Sequence, residues 1–163
     1  MLRRARETQR AYGLRSRLME AHRLHLGLQH LGNHAGVPTV LASAARRAAT
    51  SLDFPAFDLC LDRVLTFAGR GRQARPLPCV MAATSDARLH RLNNALGVAM
   101  RDCGLVVQSR GFTPHVTMFY DRAVIKDCAV EPVCFRVREL VIVHTRIGTG
   151  QRYRLLGRWP LAD

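Results

Sequence analysis

Lysine, acidic side chains and long apolar runs are all scarce in this sequence of 163 residues. No apolar stretch approaches the roughly 20 residues that a transmembrane helix needs, which argues against a membrane-spanning protein. The first part of the chain, residues 1–21, is rich in arginine but lacks the apolar core of a signal peptide, and its glutamates and shortage of serine argue against a transit peptide. We therefore expect a cytoplasmic protein without a membrane partner.

The five cysteines are widely spaced, and no two of them form a Cys-x-x-Cys pair. A structural zinc site needs closely spaced ligands, so this spacing predicts none. Cys60 and Cys79 lie in apolar, strand-like stretches, where a free cysteine behaves as a small hydrophobic residue. No carboxylate cluster suited to Mg²⁺ is evident either. We expect reduced cysteines, no metal and no cofactor.

The charge is strongly unbalanced. Lysine and arginine together number 25 against 12 acidic residues, giving a formal net charge of +13, and every basic residue except Lys126 is arginine. The planar guanidinium group can bind two phosphate oxygens at once, so the surplus favours a polyanionic partner. Genomic base composition explains the preference for arginine over lysine equally well, which leaves the net charge as the stronger indication.

The length fits one domain, or two small lobes that share a core. Three helices are predicted, over residues 3–21, 39–51 and 87–103, and Ser85-Asp86 is the predicted N-terminal cap of the third. Alternating apolar residues predict six strands, over residues 23–31, 56–67, 77–83, 113–120, 133–144 (with a kink near Arg138) and 152–158. This order predicts an α+β fold with helices outside a mostly antiparallel sheet.

Two of the predicted strands carry histidines. In residues 23–31 (RLHLGLQHL) leucine recurs at every second position, which leaves His25, Gly27 and Gln29 on the opposite face. In residues 113–120 (TPHVTMFY) the same alternation puts His115 beside Thr117.

An imidazole and a hydroxyl side by side suit phosphate-ester chemistry, because the hydroxyl can bind a non-bridging oxygen while the imidazole transfers a proton. Phe119 shares the predicted face of His115 and Thr117, so it is a candidate to stack on a nucleobase, although core packing accounts for it equally well. A single His-x-Thr tripeptide is common in structural strands. The hypothesis therefore depends on two matched strands in one chain.

Taken together, the two segments resemble the two-histidine phosphoesterase superfamily, and within it the branch of 2′-5′ RNA ligase and RNA 2′,3′-cyclic phosphodiesterase. The first family motif, L-H-L-T-L followed by an aromatic or polar residue and L-G, is matched by LHLGLQHLG except at Gly27; the second, P-H-I/V-T-L, is matched by residues 114–118 except at the last. Residues 135–161 resemble the closing strands. The resemblance implies one domain over residues 1–163, with two pseudo-symmetric lobes that each lend one motif to a central cleft.

By position, the resemblance assigns His25 as the proton donor, His115 as the proton acceptor and Thr117 as a phosphate ligand. The ordinary pKa of an imidazole, about 6.5, suits both proton transfers near neutral pH. The implied function is an RNA 2′,3′-cyclic phosphodiesterase that opens cyclic phosphate ends to a 2′-phosphate without a metal, with 2′-5′ RNA ligase activity as a second implied activity. The implied partners are RNA ends or small nucleotides.

The sequence departs from the family pattern in three places. Gly27 replaces a threonine or serine, and the lost hydrogen bond is worth about 1.5–3 kcal/mol unless water or Gln29 replaces it. Tyr120 stands where many relatives have arginine; Arg110 and Arg122 are candidate replacements, although either is equally read as a solvated surface residue. The sequence also starts at a helix where relatives usually have a strand first, so either a start lies upstream or the sheet lacks an edge strand.

Two other functional classes remain open. A weakly active or inactive relative that only binds RNA is favoured by Gly27 and by the basic charge. A phosphodiesterase of small cyclic or 2′-5′-linked nucleotides would use the same two histidines.

Overall fold

A computed structural model describes residues 1–67, 76–83, 86–107, 111–146, 148 and 150–163. In this part of the chain the helices are α1 (Leu2–Ala11), α2 (Thr39–Thr50) and α3 (Ala87–Asp102). The strands are β1 (Phe57–Thr66), β2 (Leu77–Ala82), β3 (His115–Asp121), β4 (Cys128–Val137), β5 (Glu139–His144) and β6 (Arg154–Pro160). No described strand precedes α1. No described helix has the length and apolar character that crossing a membrane requires.

The strands form two sheets. One has four strands in the order β3-β2-β1-β4, and the other is the β5-β6 pair. The β1–β2, β2–β3 and β5–β6 pairs are all antiparallel. The predicted α+β class with antiparallel sheets is confirmed.

The chain divides into two compact units. The first comprises Met1–Gly27, Cys60–Ser85 and Thr113–Cys134; the second comprises Leu28–Leu59, Asp86–Phe112 and Phe135–Asp163. Both His25 and His115 fall in the first unit. The lobes that the resemblance implies, with one motif each, do not coincide with these units, and that part of the domain description stays a prediction.

The middle of the four-stranded sheet is buried in the first unit. Val64 pairs with Met81, and Met81 pairs in turn with Val116; all three are buried. Directly paired residues project to the same side of a sheet, so the alternate residues of β3 project from the other side. The helix α1 contacts β3 and buries Ala5 and Thr8.

The second unit is built on α2, which contacts α3, β5 and β6. Its buried side chains are alanines, which allow close approach: Ala44, Ala45, Ala48 and Ala49. The indole Nε1 of Trp159 in β6 donates to the Thr50 hydroxyl oxygen at 2.8 Å and fixes the end of α2. The carboxylate of Asp86 caps α3 as predicted, because it accepts from the backbone N–H groups of Arg88 and Leu89 at 2.9 and 3.0 Å.

The first predicted helix, over residues 3–21, is wrong beyond Ala11. Gly13 adopts a φ of 65°, a left-handed conformation that glycine takes readily and that a right-handed α-helix cannot contain. The helix therefore ends before it. The chain then runs along the edge of β3, where Leu18 forms an isolated antiparallel bridge with Phe119. Leu18, which lies within the predicted helix, therefore belongs to extended chain.

The first predicted strand, over residues 23–31, is also wrong as a regular element. The chain leaves β3 in a 3-10 turn at Ala21–Arg23 and returns only for one bridge, between Leu26 and Val116. The exposure pattern survives nevertheless, since Leu26 is half-buried whereas His25 is exposed.

Other boundaries differ less. The predicted strand over residues 133–144 breaks at Arg138 into β4 and β5, which confirms the kink, but β4 starts earlier, at Cys128. The remaining predicted helices and strands are confirmed with shifts of a few residues at their ends.

The expectation that Cys60 is a free thiol is wrong. It forms a disulfide with Cys134 across the neighbouring strands β1 and β4, where the two Cα atoms are 4.0 Å apart. Apolar neighbours suggested a buried residue, but Cys60 lies on the exposed side of its strand. Cys79 is free and buried as expected. A cytoplasmic location stays a prediction.

Candidate active site

The bridge between Leu26 and Val116 sets the arrangement of the two histidine motifs. In antiparallel pairing, residues on either side of a bridged pair oppose each other in reverse order. His25 therefore lies across from Thr117, and Gly27 lies across from His115. Direct cross-strand neighbours are about 4.5–5.5 Å apart at Cβ, and diagonal neighbours are about 7–8 Å apart. The two histidines are diagonal neighbours on the face opposite the side chains of Leu26 and Val116.

Both imidazoles are oriented by the same local hydrogen bond. The Nδ1 atom of His25 lies 2.9 Å from the Arg23 carbonyl oxygen, and Nδ1 of His115 lies 2.7 Å from the Thr113 carbonyl oxygen. A carbonyl oxygen can only accept, so each Nδ1 carries the proton and donates. In the neutral ring the lone pair is then on Nε2, the nitrogen that can accept or deliver a proton in acid–base chemistry.

Three further contacts hold His115 in place. The fully buried Pro114 accepts a backbone hydrogen bond from Ala83 at 3.1 Å and fixes the start of β3. His115 pairs with Ala82 in β2, which is fully buried beside it. The Phe67 ring packs edge-to-face against the imidazole, with ring centroids 4.7 Å apart. The Phe67 contact and the Nδ1 hydrogen bond limit the rotation of the ring.

Phe67 is a candidate site residue that the sequence did not indicate. It follows β1 directly, and its backbone N–H donates to the Pro78 carbonyl oxygen at 3.2 Å. The contact with His115 depends on the strand order β3-β2-β1, which the sequence does not reveal. The available signal was an aromatic residue at the end of an alternating strand, and by itself that signal is unspecific.

A bulge in β3 changes the prediction for two aromatic residues. Thr117 pairs with Val80 and Phe119 pairs with Cys79, so Met118 is an extra residue between successive pairs. Phe119 therefore turns into the core, where its ring has no exposed surface, and it cannot stack on a nucleobase. The next residue, Tyr120, is 50% exposed.

After the bulge the alternation resumes one residue out of step. Tyr120 thus takes the face of His115 and Thr117 that the simple alternation gave to Phe119. Its assignment as a substrate-binding residue stays a prediction, now supported by its exposure.

Three other predicted residues have separate outcomes. An added Cβ at Gly27 would meet no atom within 4 Å, so the glycine leaves open space at the site. Gln29 belongs to the second unit, and its side-chain Nε2 donates to Asn93 Oδ1 at 2.8 Å. Arg110 lies outside the described residues.

Two titratable groups near the ends of β2 and β3 are perturbed. The backbone N–H of Ala123 and the Ser16 hydroxyl both donate to the Asp121 carboxylate and lower its pKa. Burial, followed by the nearby Asp121 and Cys128, raises the pKa of the Cys79 thiol to about 12. Both groups belong to the strands that carry the site. Across the part of the chain that the structure describes, no three His, Cys, Asp or Glu side chains are grouped to hold a metal ion.

Solved structures share this fold. LigT from E. coli, in a complex with 3′-AMP, aligns with a TM-score of 0.68 over 99% of this chain and 92% of its own, at 24% identity. TT0787 from Thermus thermophilus aligns with a TM-score of 0.71 over 98% of this chain and 90% of its own, at 18% identity. A structure described as a phosphoesterase aligns with a TM-score of 0.69 over 99% and 92% of the two chains, at 24% identity. At these identities the similarity establishes the fold.

The sequence itself identifies the family. No curated protein matches the chain. The model of the 2′-5′ RNA ligase superfamily, however, matches residues 2–148, a span that includes both histidine motifs and all of β1–β5. Membership supports a phosphoryl-transfer enzyme. This chain belongs to the 2′-5′ RNA ligase superfamily.

Proposed function

We propose that this protein is an RNA 2′,3′-cyclic phosphodiesterase that opens cyclic phosphate ends to a 2′-phosphate and that also has 2′-5′ RNA ligase activity. The observation that supports this most is the matched pair of imidazoles. Each is anchored through Nδ1 to the carbonyl oxygen two residues earlier, and the Leu26–Val116 bridge puts both on one face.

The diagonal spacing of the histidines suits a phosphate group between them. In-line displacement needs a base on the side of the attacking water and an acid on the side of the leaving oxygen. A separation of about 7–8 Å between diagonal neighbours leaves room for one phosphate that hydrogen-bonds to both rings. Thr117, across from His25, is then placed to donate its hydroxyl to a non-bridging oxygen.

The reaction assigns one proton transfer to each ring. Neutral His115 accepts a proton from water as the oxygen attacks phosphorus. As the bond between phosphorus and the ribose 3′ oxygen breaks, protonated His25 donates its proton to this leaving oxygen. The products are a 2′-phosphomonoester and a free 3′ hydroxyl, and the rings exchange their protons with solvent before the next turnover. The two imidazoles carry out both proton transfers, so this scheme requires no metal.

The test is turnover of an oligonucleotide with a 2′,3′-cyclic phosphate end, measured in EDTA. We expect activity in the natural sequence and a loss of about 10²–10⁴-fold in both His25→Ala and His115→Ala, which is the usual contribution of one general acid or base. His34→Ala is a matched control, because its exposed ring also hydrogen-bonds a backbone carbonyl oxygen, that of Leu31 at 2.9 Å. Undiminished turnover in either site variant contradicts the mechanism.

A second candidate, an RNA-binding relative with little activity, is favoured by the open space at Gly27, where the family places a hydroxyl. The same assay distinguishes the two. RNA binding without turnover in the natural sequence supports this candidate and contradicts the first.

A further inference from the structure

A cavity of about 290 Å³ lies along α3 in the second unit. It is lined on one side by a face of that helix and on the other by Gln29, Val107 and Phe112. Its volume is near the lower end of the range of small-molecule sites, which suits a mononucleotide rather than a larger ligand. All of its lining residues belong to the second unit, whereas His25 and His115 belong to the first.

Gly97 keeps this cavity open. It lies in the interior of α3, where glycine is the least favourable residue apart from proline. An added Cβ would come within 3.3 Å of Val107 Cγ1 and 3.8 Å of Gln29 Nε2. A side chain here would therefore fill the space between the helix and its neighbours.

The floor of the cavity carries a pair of amides. Asn93 is only 6% exposed, and its Oδ1 accepts the hydrogen bond from Gln29 Nε2. Asn93 Nδ2 and Gln29 Oε1 form no hydrogen bond with the described residues. Neither atom is among the fully buried polar atoms that lack a partner, so both are open to a ligand in the cavity. The edge of a nucleobase presents the complementary acceptor and donor.

The remaining walls supply an aromatic ring and a charge. Phe112 packs edge-to-face with His90, with ring centroids 5.4 Å apart, and both rings line the cavity. Aromatic rings bind nucleobases by stacking. Arg101 follows Gly97 by one helical turn, and its exposed guanidinium group can bind a phosphate.

We propose that this cavity is a nucleotide-binding site in which the Gln29–Asn93 amide pair binds the base edge, Phe112 stacks on the base and Arg101 binds the phosphate. The site does not depend on the catalytic reaction proposed above. Gln29, which the sequence predicted to bind substrate beside Gly27, binds the base edge in this cavity instead.

The test follows the side-chain amide NMR signals of Gln29 and Asn93 during titrations with AMP, adenosine and ribose 5-phosphate. We expect saturable shifts with AMP and adenosine and none with ribose 5-phosphate, because the amide pair recognises the base. Absence of shifts at millimolar AMP, or equal shifts with ribose 5-phosphate, would overturn the proposal.

Variants locate the phosphate and base contacts. Arg101→Gln should weaken AMP binding about tenfold, as expected for a hydrogen bond to a charged group, and leave adenosine binding unchanged. Arg91→Gln removes an exposed arginine of the same helix that does not line the cavity, and should change neither. Equal weakening by both variants would indicate nonspecific charge attraction and overturn the assignment of Arg101.

Gly97→Ala should weaken the binding of AMP and of adenosine alike, whereas the helix itself is preserved because alanine favours it. The double variant His25→Ala/His115→Ala should retain the shifts. Loss of the shifts in that double variant would place the ligand at the histidines and contradict a separate site. Turnover is not measured in these titrations, so a failure of the catalytic proposal is distinguishable from a failure of this one.

Discussion

Restoring the missing hydroxyl at Gly27 should raise the catalytic rate. His25 lies across from the Thr117 hydroxyl, whereas His115 lies across from Gly27, so only one of the two imidazoles has a hydroxyl opposite it. In Gly27→Thr each imidazole would face a hydroxyl. The backbone accepts a side chain at this position, because a Cβ at position 27 meets no atom within 4 Å and Gly27 does not have a positive φ.

The expected gain follows from one hydrogen bond to a charged phosphate oxygen. Such bonds contribute about 1.5–3 kcal/mol, which corresponds to about a ten- to a hundredfold change in rate if the bond strengthens in the transition state. The gain should therefore appear in kcat. A bond of equal strength in the bound substrate would lower KM instead.

The assay compares kcat and KM of Gly27→Thr with those of the natural sequence on an oligonucleotide with a 2′,3′-cyclic phosphate end. Gly27→Val is the matched control, since valine has the shape of threonine without the hydroxyl. We expect a gain for threonine alone. No gain, or the same gain with valine, would refute the idea that this glycine lacks a phosphate ligand.

Three predictions concern the stability of the first unit. Reduction of the Cys60–Cys134 disulfide, which spans 74 residues, should lower the free energy of unfolding by up to about 4 kcal/mol in urea titrations, and the reductant should have no effect on a Cys60→Ser/Cys134→Ser protein. Burial raises the pKa of Cys79 to about 12, above its ordinary 9.0. The contribution of the neutral thiol to the free energy of unfolding is therefore complete below pH 9 and is lost between pH 9 and 12. A Cys79→Ala variant should lose less stability across that range. The pKa of Asp121 is lowered, so the contribution of its carboxylate to stability is present above the ordinary pKa of 3.8 and is lost as the pH falls through the lower folded pKa. Ser16→Ala should therefore destabilise the protein at pH 7 but much less at pH 2. An equal effect at both pH values would contradict the role of this hydrogen bond.

Local sequence patterns predicted the secondary structure correctly where a single pattern was enough to decide it. The carboxylate of Asp86 marked the start of α3, and regular alternation marked β1 and β2. The prediction failed where tertiary contacts decided the outcome. Leu18 fits the apolar face of a helix equally well, and only its bridge to Phe119 shows that the chain is extended there.

The disulfide was missed for a similar reason. Cys60 and Cys134 are far apart in the sequence, and their pairing depends on β1 and β4 being neighbours in the sheet. Sequence spacing does not contain that order. The contact between Phe67 and His115 was missed because it also requires knowledge of which strands are adjacent.

The bulge in β3 shows how far alternation can be used to assign the residues of a site. His115 and Thr117 precede the extra residue, Met118, and their predicted face agrees with the half-buried positions that they occupy. Phe119 and Tyr120 follow it and exchange faces. The sequence gives no sign of the insertion, because Met118 and Phe119 are both apolar and either could be the buried residue. An assignment based on period-two alternation is therefore sound only up to the first bulge, so Tyr120, not Phe119, is the aromatic residue of β3 to test for contact with the substrate.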